Sequence, residues 1–117
     1  DMLQKNIKSN DISFVFPHQL KSIDKKFFNF VLAIDCLHEM DKKNIKYYFE
    51  NINDLTDNFY FSIWKNTTVP FSKTFFNSAL TLDFNKNDYE IPKNWECILK
   101  EDFIFPSNFL SLGYKIK

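Results

Sequence analysis

The chain has 117 residues, 44% apolar and 19% aromatic, and its 15 basic and 15 acidic residues leave no net charge. That length makes one domain or part of one. A neutral balance excludes the electrostatic footprint of a nucleic-acid binder or of a protein held on an anionic membrane surface, and the longest apolar run, Phe30 to Ile34, falls far short of the roughly 20 residues of a membrane span.

In chain order, Leu3 and Ile7 lie four apart in an otherwise polar start, which suits either a short helix or a connector. Ile12 to Phe16 is a short β-type run stopped by Pro17, whose ring fixes φ and removes a donor. His18 to Asn29 is polar and holds at most one short helix. Phe30 to Ile34 is apolar at both parities, the pattern of a central parallel strand covered on both faces.

Asp41 is a helix N-cap candidate, and Ile45, Tyr48, Phe49 and Ile52 fall at i, i+3, i+4 and i+7 on one helical face before Asn53 and Asp54 mark the end. Phe59 to Trp64, FYFSIW, is a further strand. Strand, helix, strand implies a right-handed crossover between parallel neighbours.

Lys65 to Asn94 is a long polar insert bounded by Pro70 and Pro92, of the kind that is functional or disordered; Phe71, Phe75 and Phe76 suggest that part of it packs. Trp95 to Phe105 is β-like with a break at Lys100-Glu101-Asp102. A turn at Pro106-Ser107-Asn108 then leads to a last strand, Phe109 to Ile116, making an antiparallel hairpin. There are no internal repeats.

Cys36 and Cys97 lack paired spacing and fit a reducing cytoplasm rather than a disulfide framework. Asn66-Thr67-Thr68 matches a glycosylation sequon but is read as chance, since no secretory pattern accompanies it. The single glycine, Gly113, is more informative. Nucleotide-binding α/β domains place a Gly-rich turn after their first strand so that backbone can approach the ligand. This chain has none. Either it is not such a fold, or it is one whose first half is missing.

The order of strand, acidic turn, helix, strand, long insert and terminal hairpin resembles the C-terminal half of a class I S-adenosylmethionine-dependent methyltransferase. FNFVLAIDCLHEM is similar to the fourth-strand motif of that superfamily. FVFPHQL, the LHEM box, KYYFENI, FYFSIW and NWECILKEDFIFPSNFLSLGYKI resemble the sugar O-methyltransferases of bacterial surface-polysaccharide clusters. The resemblance implies a Rossmann-like α/β sheet of parallel strands with a crossover helix and a terminal hairpin. It implies S-adenosylmethionine as cofactor, a sugar or nucleotide-sugar acceptor, and a cytoplasmic enzyme with no nucleic-acid or membrane partner. It also implies that residues 1–117 are a partial catalytic domain, without the glycine turn and ribose-binding acid of the cofactor half, and inactive alone. The alternative is a non-catalytic α/β remnant or interaction module.

Methyl transfer asks a protein to orient the acceptor and remove its proton. Ligands of open parallel sheets sit beyond the carboxyl ends of the strands, where Asp35 to Met40 follow the central strand. His38 is the candidate base, with Glu39 as competitor. The plainer alternatives are a packing histidine and a solvated carboxylate. Asp35 is expected to face the methionine end of the cofactor or the acceptor. Pro17, His18 and Gln19 follow the earlier strand, at the adenine rim that the resemblance implies, or form a plain turn. Trp64, Lys65 and Asn66 end the FYFSIW strand and are acceptor-pocket candidates, with Trp64 otherwise in the core. The Tyr47-Tyr48-Phe49 trio reads as helix packing. No metal site is expected: there are two histidines, His18 and His38, and no helical His pair. Cys36 is a poor nucleophile, because Asp35 and Glu39 beside it raise a thiol pKa.

Overall fold

A computed structural model describes residues 2–64, 67–68, 83–84, 89–102 and 109–117. Helix α1 (Met2–Ser9) leads through an extended stretch to a 3-10 turn at Pro17–Ser22. Strand β1 (Val31–Ile34), a 3-10 turn at Leu37–Glu39, helix α2 (Lys42–Leu55) and strand β2 (Asn58–Trp64) follow. After them come β3 (Thr67–Thr68), β4 (Asp83–Phe84), β5 (Trp95–Asp102) and β6 (Phe109–Ile116).

Helix α2 forms for local reasons. The Asp41 carboxylate accepts from the Asn44 N–H at 2.7 Å, satisfying one of the orphan donors of the first turn. Ile45, Phe49, Ile52 and Leu55 put one buried face on the sheet. That face meets the odd-numbered residues of the strands, Ala33, Phe59, Phe61 and Ile63, and these with Leu112, Tyr114, Ile116, Trp95 and Tyr89 form the core.

The four-stranded sheet has the order β1-β2-β6-β5. β1 and β2 are parallel, with Ile34 opposite Ser62, as the crossover through α2 predicts. β6 runs antiparallel to β2 and to β5. Among the described residues β3 and β4 make a separate two-stranded ladder.

Four expectations are corrected. Ile12 to Phe16 is not a strand: it joins no sheet among the described residues, and Phe14 is 97% exposed. A β-type pattern without a neighbour to pair with does not make a strand. The four-stranded sheet therefore has one parallel pair and is mixed, where the resemblance implies a sheet of parallel strands closed by a hairpin. The break at Lys100-Glu101-Asp102 is absent, since β5 continues through those residues and its irregularity is a bulge between Cys97 and Leu99. The Pro106-Ser107-Asn108 turn and most of the 65–94 insert lie outside the described residues; Tyr89, from the end of that insert, is 2% exposed in the core.

The fourth correction concerns β1. Val31 and Ala33 are covered by α2, but Phe30, Leu32 and Ile34 are 52%, 59% and 56% exposed. Among the described residues β1 pairs only with β2, so one face and one edge of this strand are open. An apolar groove of about 470 Å³ runs beside it, walled by Leu20, Phe28, Leu37, Met40, Tyr48 and Ile52. An open apolar edge strand is a template for pairing with another chain. The chain is therefore expected to self-associate, and Ile34→Lys to reduce this without lowering the melting midpoint; sedimentation of both proteins checks it, and equal association by the two would dissociate this edge from the behaviour.

Candidate functional site

The carboxyl end of β1 is where the chain changes character. After Ile34 the backbone of Asp35 enters the left-handed region, with φ 51°, which costs a non-glycine residue about 1–2 kcal/mol. A hydrogen bond holds it there: the Asp35 N–H donates to Ser62 Oγ on β2 at 3.1 Å. The chain then closes a 3-10 turn, Glu39 N–H to Cys36 O at 3.2 Å and Met40 N–H to Leu37 O at 3.1 Å.

This turn brings Asp35 and His38 together, with His38 Nε2 at 3.3 Å from Asp35 Oδ1. The two side chains are not equally accessible. His38 is 3% exposed and Asp35 is 49% exposed. The ring of Phe109 on β6 packs near-perpendicular to the imidazole, centroids 6.4 Å apart. The imidazole is thus buried, and the carboxylate is the more open side chain of the pair. Glu39 is exposed. The Cys36 thiol is pushed up by burial first and by the negative Asp35 and Glu39 second, so it stays a thiol at neutral pH and is no nucleophile.

Pro17, His18 and Gln19 form the other 3-10 turn rather than a strand end. The Gln19 side-chain oxygen accepts from the Phe16 N–H at 2.9 Å, and the Tyr47 hydroxyl donates to Pro17 O at 2.7 Å. Gln19 and Tyr47 thus fasten this turn to itself and to α2. His18 is exposed and stacks on Phe16 at 5.8 Å. With Pro17, Met40, Asn44, Tyr47 and Tyr48 it lines a cavity of about 480 Å³. Pro17 and His18 therefore share a cavity with the end of the LHEM box, whereas Gln19 does not line it. Trp64 is the last residue of β2; Lys65 and Asn66 lie outside the described residues. Sequence reasoning missed Ser62, which sits 27 positions from Asp35 with no local signal, and took Tyr47 for packing alone.

With the sheet order and the β1 end in view, similarity to solved structures becomes interpretable. The chain is similar to the PH0226 protein from Pyrococcus horikoshii OT3, with a TM-score of 0.65 at 14% identity over 96% of this chain and 63% of that one. It is also similar to TehB from Haemophilus influenzae, with a TM-score of 0.55 at 11% identity over 97% of this chain and 44% of that one. These likenesses show the fold, a mixed α/β sheet of four strands with helices. The chain thus spans less than two thirds of the length of either neighbour. No family model and no curated protein matches the sequence.

A Cβ on Gly113, the one glycine of the chain, would meet Leu99 Cβ at 2.9 Å, so this glycine serves close packing of β6 on β5 and the described residues offer no glycine cradle. Among the described residues no group of three or more His, Cys, Asp or Glu side chains could hold a metal ion, and no helix is long and apolar enough to cross a membrane.

Proposed function

We propose that residues 1–117 are part of the catalytic domain of an S-adenosylmethionine-dependent methyltransferase that acts on a sugar hydroxyl, in the cytoplasmic assembly of a surface polysaccharide. The observation that carries this reading is the Asp35–His38 pair at the carboxyl end of β1, in a fold whose neighbours share its sheet. When bound, the cofactor supplies a methyl group on a sulfonium centre. The chain's own residues have a narrower task. The Asp35–His38 pair would take the proton that the acceptor hydroxyl loses as it receives the methyl group the cofactor would supply. His18 and Pro17 would serve the cofactor side and Glu39 gives a second exposed carboxylate for acceptor hydroxyls; Trp64, Lys65 and Asn66 stay the acceptor contacts proposed from the sequence.

The second reading, a non-catalytic module that keeps the scaffold, is favoured by Gly113 alone, because the chain's only glycine is committed to packing. Two measurements separate the readings: calorimetric titration with S-adenosylmethionine, and transfer of labelled methyl groups to a panel of nucleotide sugars. Binding with transfer to a carbohydrate supports the first. Binding with transfer only to other acceptors removes the sugar, and absence of binding in the full-length protein leaves the module.

A further inference from the structure

We propose that Asp35, rather than His38, is the group that meets the acceptor hydroxyl, and that Ser62 and His38 are positioning residues that hold its carboxylate in place. This rests on the methyl-transfer reading, but its geometry is independent of it.

Four observations converge on Asp35. Its backbone is turned at the strand end into the left-handed region, where a side chain leaves the alternation of the strand. Its N–H is fixed by Ser62 Oγ at 3.1 Å, and Ser62 is itself 2% exposed on the neighbouring strand, directly across from Ile34. Its carboxylate touches His38 Nε2 at 3.3 Å. Of the three side chains it alone is open, at 49% against 3% for His38 and 2% for Ser62. A ligand that approaches the end of β1 therefore encounters carboxylate oxygen first. The imidazole, packed near-perpendicular to the Phe109 ring, is buried and sits against one carboxylate oxygen, Oδ1, of a side chain that is half open. The serine fixes the backbone from which the carboxylate projects. A polar group on rigid strands, oriented by buried partners, is what proton transfer to a positioned base requires.

The histidine count makes a direct test available. The chain has two, His18 and His38, so an imidazole nitrogen spectrum of the labelled protein contains one exposed reference and one reporter. Ser62→Ala is expected to move the His38 resonances and leave those of His18 in place, and Ser62→Thr, which keeps a hydroxyl, is expected to bring His38 back. Asp35→Asn is expected to move them further. In the same proteins Ser62→Ala is expected to lower methyl-transfer turnover roughly 10- to 100-fold, as small misplacements do, with cofactor affinity unchanged and Ser62→Thr restoring most of the rate.

A folded Ser62→Ala protein with unmoved His38 resonances overturns the positioning role. An Asp35→Asn enzyme that keeps the parent rate while His38→Ala loses it makes the imidazole the contact group and overturns the assignment. A full-length parent that moves no methyl group, while Ser62→Ala still shifts His38, removes Asp35's role toward a hydroxyl and leaves only the held carboxylate.

Discussion

Asp35→Asn is expected to lower methyl-transfer turnover by roughly two to four orders of magnitude, the range for loss of a general base, and to leave the fold intact. Asparagine keeps the shape of the side chain and tolerates the left-handed backbone that Asp35 adopts. It removes the negative charge and the proton-accepting oxygen. Because Asp35 is half-exposed, its contact with His38 contributes little to stability and water replaces what is lost. The effect should therefore appear in kcat, with cofactor affinity and the thermal melt close to the parent's. Steady-state rates, a cofactor titration and a melt on the same preparation check this. A folded variant that turns over at the parent rate would move the proton acceptor to His38, to Glu39 or outside the chain.

Phe61→Ala is expected to have the largest effect on stability. Phe61 is 0% exposed, and its ring lies 5.9 Å from Phe49, 5.2 Å from Phe59, 6.0 Å from Tyr89 and 5.8 Å from Tyr114. It thus joins α2, β2, β6 and the end of the insert in one aromatic cluster. Truncating a buried phenylalanine costs about 3–5 kcal/mol through lost transfer energy and the cavity left behind, a large share of the roughly 5–15 kcal/mol that holds a domain folded. Urea unfolding followed by tryptophan fluorescence should show a much lower midpoint with a similar slope. Phe14→Ala is the control. Phe14 is 97% exposed and its loss should stay within about 0.5 kcal/mol. Equal midpoints for parent and Phe61→Ala would mean that the cluster is not the core.

Local features were the legible ones. Asp41 and the Ile45, Tyr48, Phe49, Ile52 spacing specify α2, because capping and helical periodicity act within a few residues. The two parallel strands around it follow from the same logic. What failed depends on partners far away in sequence. Ile12 to Phe16 has strand composition but no strand to pair with. Phe30, Leu32 and Ile34 read as buried, yet burial needs a covering layer that the described residues do not provide. At the site, the chemistry of the LHEM box was visible, but not which member faces outward. That depends on a left-handed backbone at a non-glycine residue and on a serine from another strand, neither of which leaves a mark on the sequence near Asp35.

The order of the strands carries a consequence for how the chain is made. β6, the last strand in sequence, is an inner strand, between β2 and β5, and the Lys115 ammonium reaches an Asn58 side chain 57 residues earlier. During synthesis β2 emerges well before its antiparallel neighbour exists, so the nascent chain must keep FYFSIW from premature pairing until Phe109 to Ile116 have left the ribosome. Loops this long make slow folders. The same arrangement makes Phe109 to Ile116 the strand that joins the β1–β2 pair to β5, so its loss, unlike the loss of an edge strand, divides the four-stranded sheet.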